Sequence, residues 1–355
     1  MKNFSKLIVM ILTVSMLSIS CGDTKKGYEL ALITDVGTID DRSFNQGSWE
    51  GLKKYADEKN ITHKYYQPTE KTTDAYIDSI DLAVAAGAKI VVTPGFLFEP
   101  AIYKAQDTHP EVNFVLLDGS PQDGTYTDFR IEKNVYSVFY AEEQAGFLAG
   151  YGAVKDGYTN LGFMGGMAVP AVVRFGYGFV QGVNYAAKEF GIRNVKVDYN
   201  YLGGFNPSPE IQTKAASWYR NGVQVIFVAG GGAGNSVMAA AEQNNGYVIG
   251  VDVDQSGESS SVITSAMKMI GESVYNAIDE FYKGNFPGGQ SVVLDAKVHG
   301  IGLPMENSRF KNFTKEDYDN IYQKLVDGSI KVLNDTNVKE ASQLPLDSAR
   351  LNLIQ

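Results

Sequence analysis

Apolar residues along this chain fall in short unbroken runs, separated by longer stretches of helical period. Phe114-Val115-Leu116-Leu117 and Val225-Ile226-Phe227-Val228 are the clearest runs. Runs of this length suit strands covered on both faces, as in a parallel sheet. On this pattern strands are predicted over 28–35, 62–67, 89–93, 113–118, 160–164, 195–201, 223–229 and 247–252. Helices fill the intervals. Ser43 and Gln46 have the spacing of a capping box, and Trp49, Leu52 and Tyr55 follow on one helical face. Asn206-Pro207-Ser208-Pro209-Glu210 reads as a helix start, with Asn206 and Ser208 both eligible as the cap.

Strand, loop and helix in alternation predict a doubly wound α/β fold. Eight such units exceed one comfortable sheet, so the chain divides into two parallel-sheet lobes. Residues 28–134 belong to the first and 135–262 to the second. Two later strand-like segments, 261–268 and 291–303, look like returns across a hinge. They make both lobes discontinuous: about 263–296 joins the first and about 297–330 the second. The tail, 331–355, has weak periodicity and no assignment. No internal repeat is clear enough in the sequence to establish a duplication.

The 355 residues carry a formal charge of -10 with a sequence pI near 4.9. That balance argues against nucleic acid or an anionic membrane face as a partner, because a phosphate backbone needs a basic footprint. The N-terminus changes the picture further. Lys2 and Lys6 precede an uncharged run from Leu7 to Ile19, shorter than the roughly 20 residues of a membrane-spanning helix. The run matches a signal-peptide core over 1–20. Directly after it stands Cys21, the only cysteine of the chain, so no internal disulfide can form. A lone cysteine there resembles a lipobox, whose thiol is acylated, although Ser18 stands where leucine is usual. Residues 21–27 then form a short lipidated tether.

Chemistry concentrates at strand ends. Asp35, Asp118 and Asp252 each follow an apolar strand, and Lys268 closes a similar segment. In open α/β sheets ligands bind beyond the carboxyl ends of the strands, so these side chains can converge on the crevice between lobes. The plainer reading of each acid is a cap on the next helix. Gly230-Gly231-Gly232-Ala233-Gly234-Asn235 also lies between a strand and a helix, where glycines expose backbone N–H groups to a ligand. The spacing is neither a dinucleotide fingerprint nor a phosphate loop. Phe44 and Phe175 start helices in opposite halves and can stack on a flat ring, or else pack in the core. His63, His109 and His299 are scattered and match no metal spacing. No cofactor is implied.

Six motifs in order carry a resemblance: Thr34-Asp35; Asp41-Arg42-Ser43-Phe44-Asn45-Gln46; 228–234; Ile249-Gly250-Val251-Asp252 with Asp254-Gln255; Thr264-Ser265-Ala266-Met267-Lys268; and Phe286-Pro287-Gly288-Gly289. Together they resemble the basic-membrane-protein family of purine-nucleoside-binding lipoproteins, over roughly Tyr28 to Lys324. The resemblance implies two lobes of the type I periplasmic-binding-protein kind, and delivery of inosine, guanosine or adenosine to the permease subunits of an ABC importer. It implies that Phe44 and Phe175 sandwich the base while Asn45 and Asp118 bond its edge. Asp252, Lys268 and the backbone around Gly231 would hold the ribose, with Asp35 supporting the first loop. A membrane lipid anchor on Cys21 completes that expectation.

Two other functions compete. Asp35, Asp40 and Asp41 share one loop, which resembles the calcium-binding acids of nucleoside hydrolases, and such a metal could activate water on a ribose diol. Gly37 stands where that pattern has its second acid. A sensor presenting its ligand to a receptor kinase is the third reading. The binding protein accounts for the export signal, two lobes and the missing catalytic set together, and is the expectation carried forward.

Overall fold

A computed structural model describes residues 27–35 and 37–354. The expected signal peptide, the expected tether before residue 27 and Cys21, the expected acylation site, lie outside the described residues.

The apolar runs become the centres of two sheets. The first sheet takes β1 (Leu30–Ile33), β2 (His63–Tyr66), β3 (Ile90–Pro94), β4 (Asn113–Leu117) and β5 (Val135–Tyr140). The second takes β6 (Asn160–Gly165), β7 (Val195–Tyr201), β8 (Val225–Ala229), β9 (Tyr247–Asp252) and β10 (Val262–Lys268). Three late strands complete them: β11 (Gln290–Leu294), β12 (Ile301–Gly302) and β13 (Ala349–Leu353). The orders are β11-β5-β4-β3-β1-β2 and β12-β10-β9-β8-β6-β7-β13. All pairings are parallel except β10 with β12. Apart from β13 the two orders superpose strand for strand, so the duplication absent from the sequence is present in the topology.

The lobe boundaries differ from the sequence expectation. The strand at 135–140, expected in the second lobe, pairs with β4 in the first sheet, Phe114 beside Val135. The polar stretch before it is only its entry turn, where Asn134 donates to the carbonyls of Gln106, His109 and Val112. Strand β10, expected largely in the first lobe, belongs to the second sheet. The expected strand over 291–303 is two strands in different sheets, joined by a 3-10 turn at Ala296–Val298. The tail adds β13 in parallel alongside β7. The chain therefore crosses between lobes at Ala141, at Met269 and over 295–300. The crossings are tied to one another, since the Ala141 amide donates to the Leu294 carbonyl and the Met269 amide to that of Gly300.

Helices α1 (Phe44–Lys59), α2 (Thr73–Ala85) and α3 (Glu99–Thr108) follow strands of the first sheet; α4 (Glu142–Lys155), α5 (Pro170–Glu189), α6 (Pro209–Arg220) and α7 (Ala233–Asn244) belong to the second lobe. Helix α8 (Ile270–Tyr282) returns to pack on α1, and α9 (Lys315–Val326) lies against α4. The α4–α5 pair sits almost backbone to backbone. A Cβ added at Gly178 would lie 1.9 Å from the Glu143 carbonyl oxygen, and one at Gly146 would lie 2.2 Å from that of Phe175. This contact sets where the first turns of α4 and α5 lie, and hence where Phe175 meets the crevice with Glu142 behind it. Ser208 caps α6, accepting from the Ile211 amide. The three histidines lie away from the crevice. His109 pairs with Asp81, His63 packs on Trp49 and His299 stacks on Tyr322.

Candidate functional site

The carboxyl ends of both sheets face a single cavity of about 670 Å³, within the usual range of small-ligand pockets. All eight residues picked from the sequence line it: Asp35, Phe44, Asn45, Asp118, Phe175, Gly231, Asp252 and Lys268.

The central group is Lys268, at the end of β10. Its side chain is 2% exposed. The ammonium sits 2.6 Å from Asp118, 3.4 Å from Asp252 and 3.7 Å from Glu142. Burial alone would lower its pKa, but those three acids hold it above the ordinary lysine value. The same ammonium lies 4.2 Å from the Phe44 ring centre and 5.6 Å from that of Phe175. One ring comes from each lobe, and both face one cation.

The two aspartates are topological equivalents, one after β4 and one at the end of β9. Both adopt left-handed backbone, with φ of 54° at Asp118 and 68° at Asp252. Non-glycine residues in that region are held there by their surroundings, commonly at functional sites. Asp118 Oδ2 accepts from Lys268, whereas its Oδ1 is buried without a hydrogen-bond partner.

The loop before α1 departs from the predicted capping box. Asp41, rather than Ser43, caps the helix, accepting from the amides of Ser43, Asn45 and Gln46. Burial pushes the Asp41 pKa up in spite of these donors. Ser43 is drawn across the cleft instead, its hydroxyl donating to Asp252 Oδ2 at 2.5 Å. Gln46 accepts from the Arg42 amide. Asn45 ties the loop acids together. Its amide nitrogen donates to Asp35 at 2.9 Å and to Asp41 at 2.9 Å, and its oxygen accepts from the Asp35 amide. Two of the three acids that resemble a calcium loop, Asp35 and Asp41, thus close on one side-chain amide. Among the described residues no group of three or more His, Cys, Asp or Glu is placed to hold a metal.

Sequence reasoning missed the contacts that shut the lobes. Arg42 pairs with Glu258, and the Gln255 amide donates to the Arg42 carbonyl at 2.8 Å. With Ser43–Asp252 they join the first loop of one lobe to the turn after β9 in the other. It also missed Glu142 and Arg174 behind the cleft. The acid-basic pattern of neither segment stands out, because their partners are distant in sequence. In the glycine-rich turn Gly231, with φ of 53°, and Gly232 precede α7 and line the cavity.

Two parallel-sheet lobes joined by three crossings, with a cavity between their strand ends, make a two-lobe fold of the periplasmic-binding-protein type. The fold matches that of an ABC solute-binding protein from Aeropyrum pernix, at 23% identity and TM-score 0.75 over 89% of this chain and 95% of that one. It also matches one from Conexibacter woesei, at 22% identity and TM-score 0.69 over 86% and 99%. The chain belongs to the basic membrane protein family, described as PnrA-like substrate-binding proteins of ABC transporters, whose sequence model matches residues 28–341. Its relatives include the ABC transporter nucleoside-binding protein BmpA of Lactococcus lactis, 30% identical over 88% of this chain and 90% of that protein. Basic membrane protein D of Borreliella burgdorferi is 29% identical over 88% and 91%. This chain is therefore a substrate-binding component of an ABC transporter. The matched family is one of binding proteins and gives the hydrolase reading no support.

Proposed function

We propose that the protein captures purine nucleosides outside the cytoplasm, anchored by lipid on Cys21, and hands them to the permease subunits of an ABC importer. The observation that carries the reading is the orphaned Oδ1 of Asp118, a residue lining the cavity together with Phe44 and Phe175. A buried acceptor left without a donor costs about 1–3 kcal/mol, so the preferred ligand supplies a donor there. A purine edge does so while its faces meet the two rings. Lys268, Asp252 and the amides around Gly231 then suit ribose hydroxyls, which both donate and accept. The nucleoside-binding relative from Lactococcus lactis supports the same choice. Asn45 enters this scheme mainly as the brace of the loop, because both its amide hydrogens are engaged by Asp35 and Asp41.

Mass spectrometry of the ligand retained by the purified protein, followed by calorimetry with inosine, guanosine and adenosine, tests the proposal. Binding of at least one with a smaller radius of gyration on saturation is expected. Absence of binding by all three would end the nucleoside reading. For the anchor, Cys21→Ala protein should move from the detergent phase to the aqueous phase; unchanged partitioning would remove the lipid.

A further inference from the structure

Glu142 opens α4 directly after the first lobe crossing. It is 1% exposed, and neither carboxyl oxygen has a hydrogen-bond partner. Two cations flank it at ion-pair range but beyond hydrogen-bond range: Lys268 at 3.7 Å and Arg174 at 3.7 Å. An acid with only a structural task would be hydrogen-bonded, since an unpartnered buried carboxylate is costly. Arg174 is already held at 2.6 Å by Asp335 from the tail. Lys268 is held at 2.6 Å by Asp118, and an ammonium has three donors to distribute. We propose that Glu142 is a positioning residue of the ligand site. As a neutral acid it leaves Lys268 to the cleft-facing Asp118 and Asp252; as a carboxylate it draws the ammonium back toward α4. The proposal rests on the cleft being the ligand site and adds a control on it.

The charges around Glu142 set the direction. Burial raises its pKa most, Asp118 adds to that, and Lys268 and Arg174 oppose it, with Glu143 raising it again from the same helix. Asp252 and Asp335 face the two cations, and the buried Tyr140 packs against Lys268 from β5. The net position is well above the ordinary carboxylate range. As pH rises through that value Glu142 ionises, Lys268 shifts away from Asp118, and ligand affinity falls.

Two measurements separate this from the nucleoside reading. In ligand-free protein with isotope-labelled lysine, the side-chain nitrogen resonance of Lys268 should move as pH is raised across the range in which the protein stays folded in wild type, and stay still in Glu142→Gln. With inosine, wild-type Kd should rise about tenfold over that range, while Glu142→Gln keeps the low-pH wild-type Kd within about twofold throughout. A wild-type Lys268 resonance that does not titrate overturns the proposal, with or without the variant. So does an unchanged pH profile in Glu142→Gln. A titrating Lys268 in protein that binds no inosine would sink the nucleoside assignment and leave the positioning role standing.

Discussion

Asp252→Asn is the sharpest single substitution the site offers. Alanine is the wrong choice there, because φ is 68° and left-handed backbone costs an ordinary residue about 1–2 kcal/mol, which asparagine largely escapes. Asparagine also keeps the shape, removing the charge and exchanging one acceptor oxygen for an NH2 donor. In the closed molecule Oδ2 is taken by Ser43 and Oδ1 lies 3.4 Å from Lys268. One oxygen is thus left for a ligand hydroxyl. A hydrogen bond to a charged group contributes about 1.5–3 kcal/mol, so inosine affinity should fall roughly 10- to 150-fold. The fold should survive, since Lys268 keeps Asp118 at 2.6 Å. Calorimetry on both proteins, with inosine and with its 2′,3′-dideoxy analogue, which lacks the vicinal pair of ribose hydroxyls, completes a double cycle. The analogue should lose less than about threefold. Equal losses for the two ligands would show that Asp252 does not meet ribose, and the orientation argued for the whole cleft would be refuted with it.

Two further outcomes follow from the scaffold. Gly178→Ala should force α4 and α5 apart, because its Cβ would lie 1.9 Å from the Glu143 carbonyl oxygen; overpacking of this kind costs about 1–3 kcal/mol, and an unchanged melting temperature would deny the backbone contact. Arg42→Ala should accelerate ligand release by about 1.5- to 5-fold in stopped-flow, the worth of one exposed ion pair at about 0.2–1 kcal/mol. Glu258→Ala should do the same, and the double variant should be no worse than either; additive losses would mean the two act separately.

The strand ends were readable because they are local. An acid or lysine that stops an apolar run announces itself, and Asp118, Asp252 and Lys268 were found in this way. What escaped depends on residues far away along the chain. Ser43 and Asp41 are equally good helix caps by composition, and the choice falls to Asp41 because Asp252, 209 residues on, recruits the Ser43 hydroxyl. The polar segment before β5 looked like a lobe boundary, yet its asparagine serves three carbonyls of the first lobe. Glu142 carried no signal at all. An acid in the first turn of a helix is commonplace on dipole grounds, and only its burial between Lys268 and Arg174 distinguishes it. The tail strand β13 was invisible because an edge strand of five residues with three exposed positions has almost no apolar pattern.

The pairing of Asp118 with Asp252 has a consequence for how the cleft works. Equivalent strand ends in the two lobes each present a left-handed aspartate to the same ammonium, so Lys268 at the second crossing is shared between lobes rather than owned by one. Asp118–Lys268 is then a contact that closure makes, alongside Ser43–Asp252 and Arg42–Glu258. A ligand shifts the balance between open and closed only by its differential affinity for the two. Much of the polar lining already has partners in the closed form, so a ligand that merely displaced those bonds would gain little. The advantage lies with one that answers what closure leaves unanswered, the free oxygen of Asp118 and the two aromatic faces. Selectivity in this protein therefore resides less in the number of polar groups around the cavity than in an acceptor of the cavity-lining Asp118 that the protein does not satisfy itself.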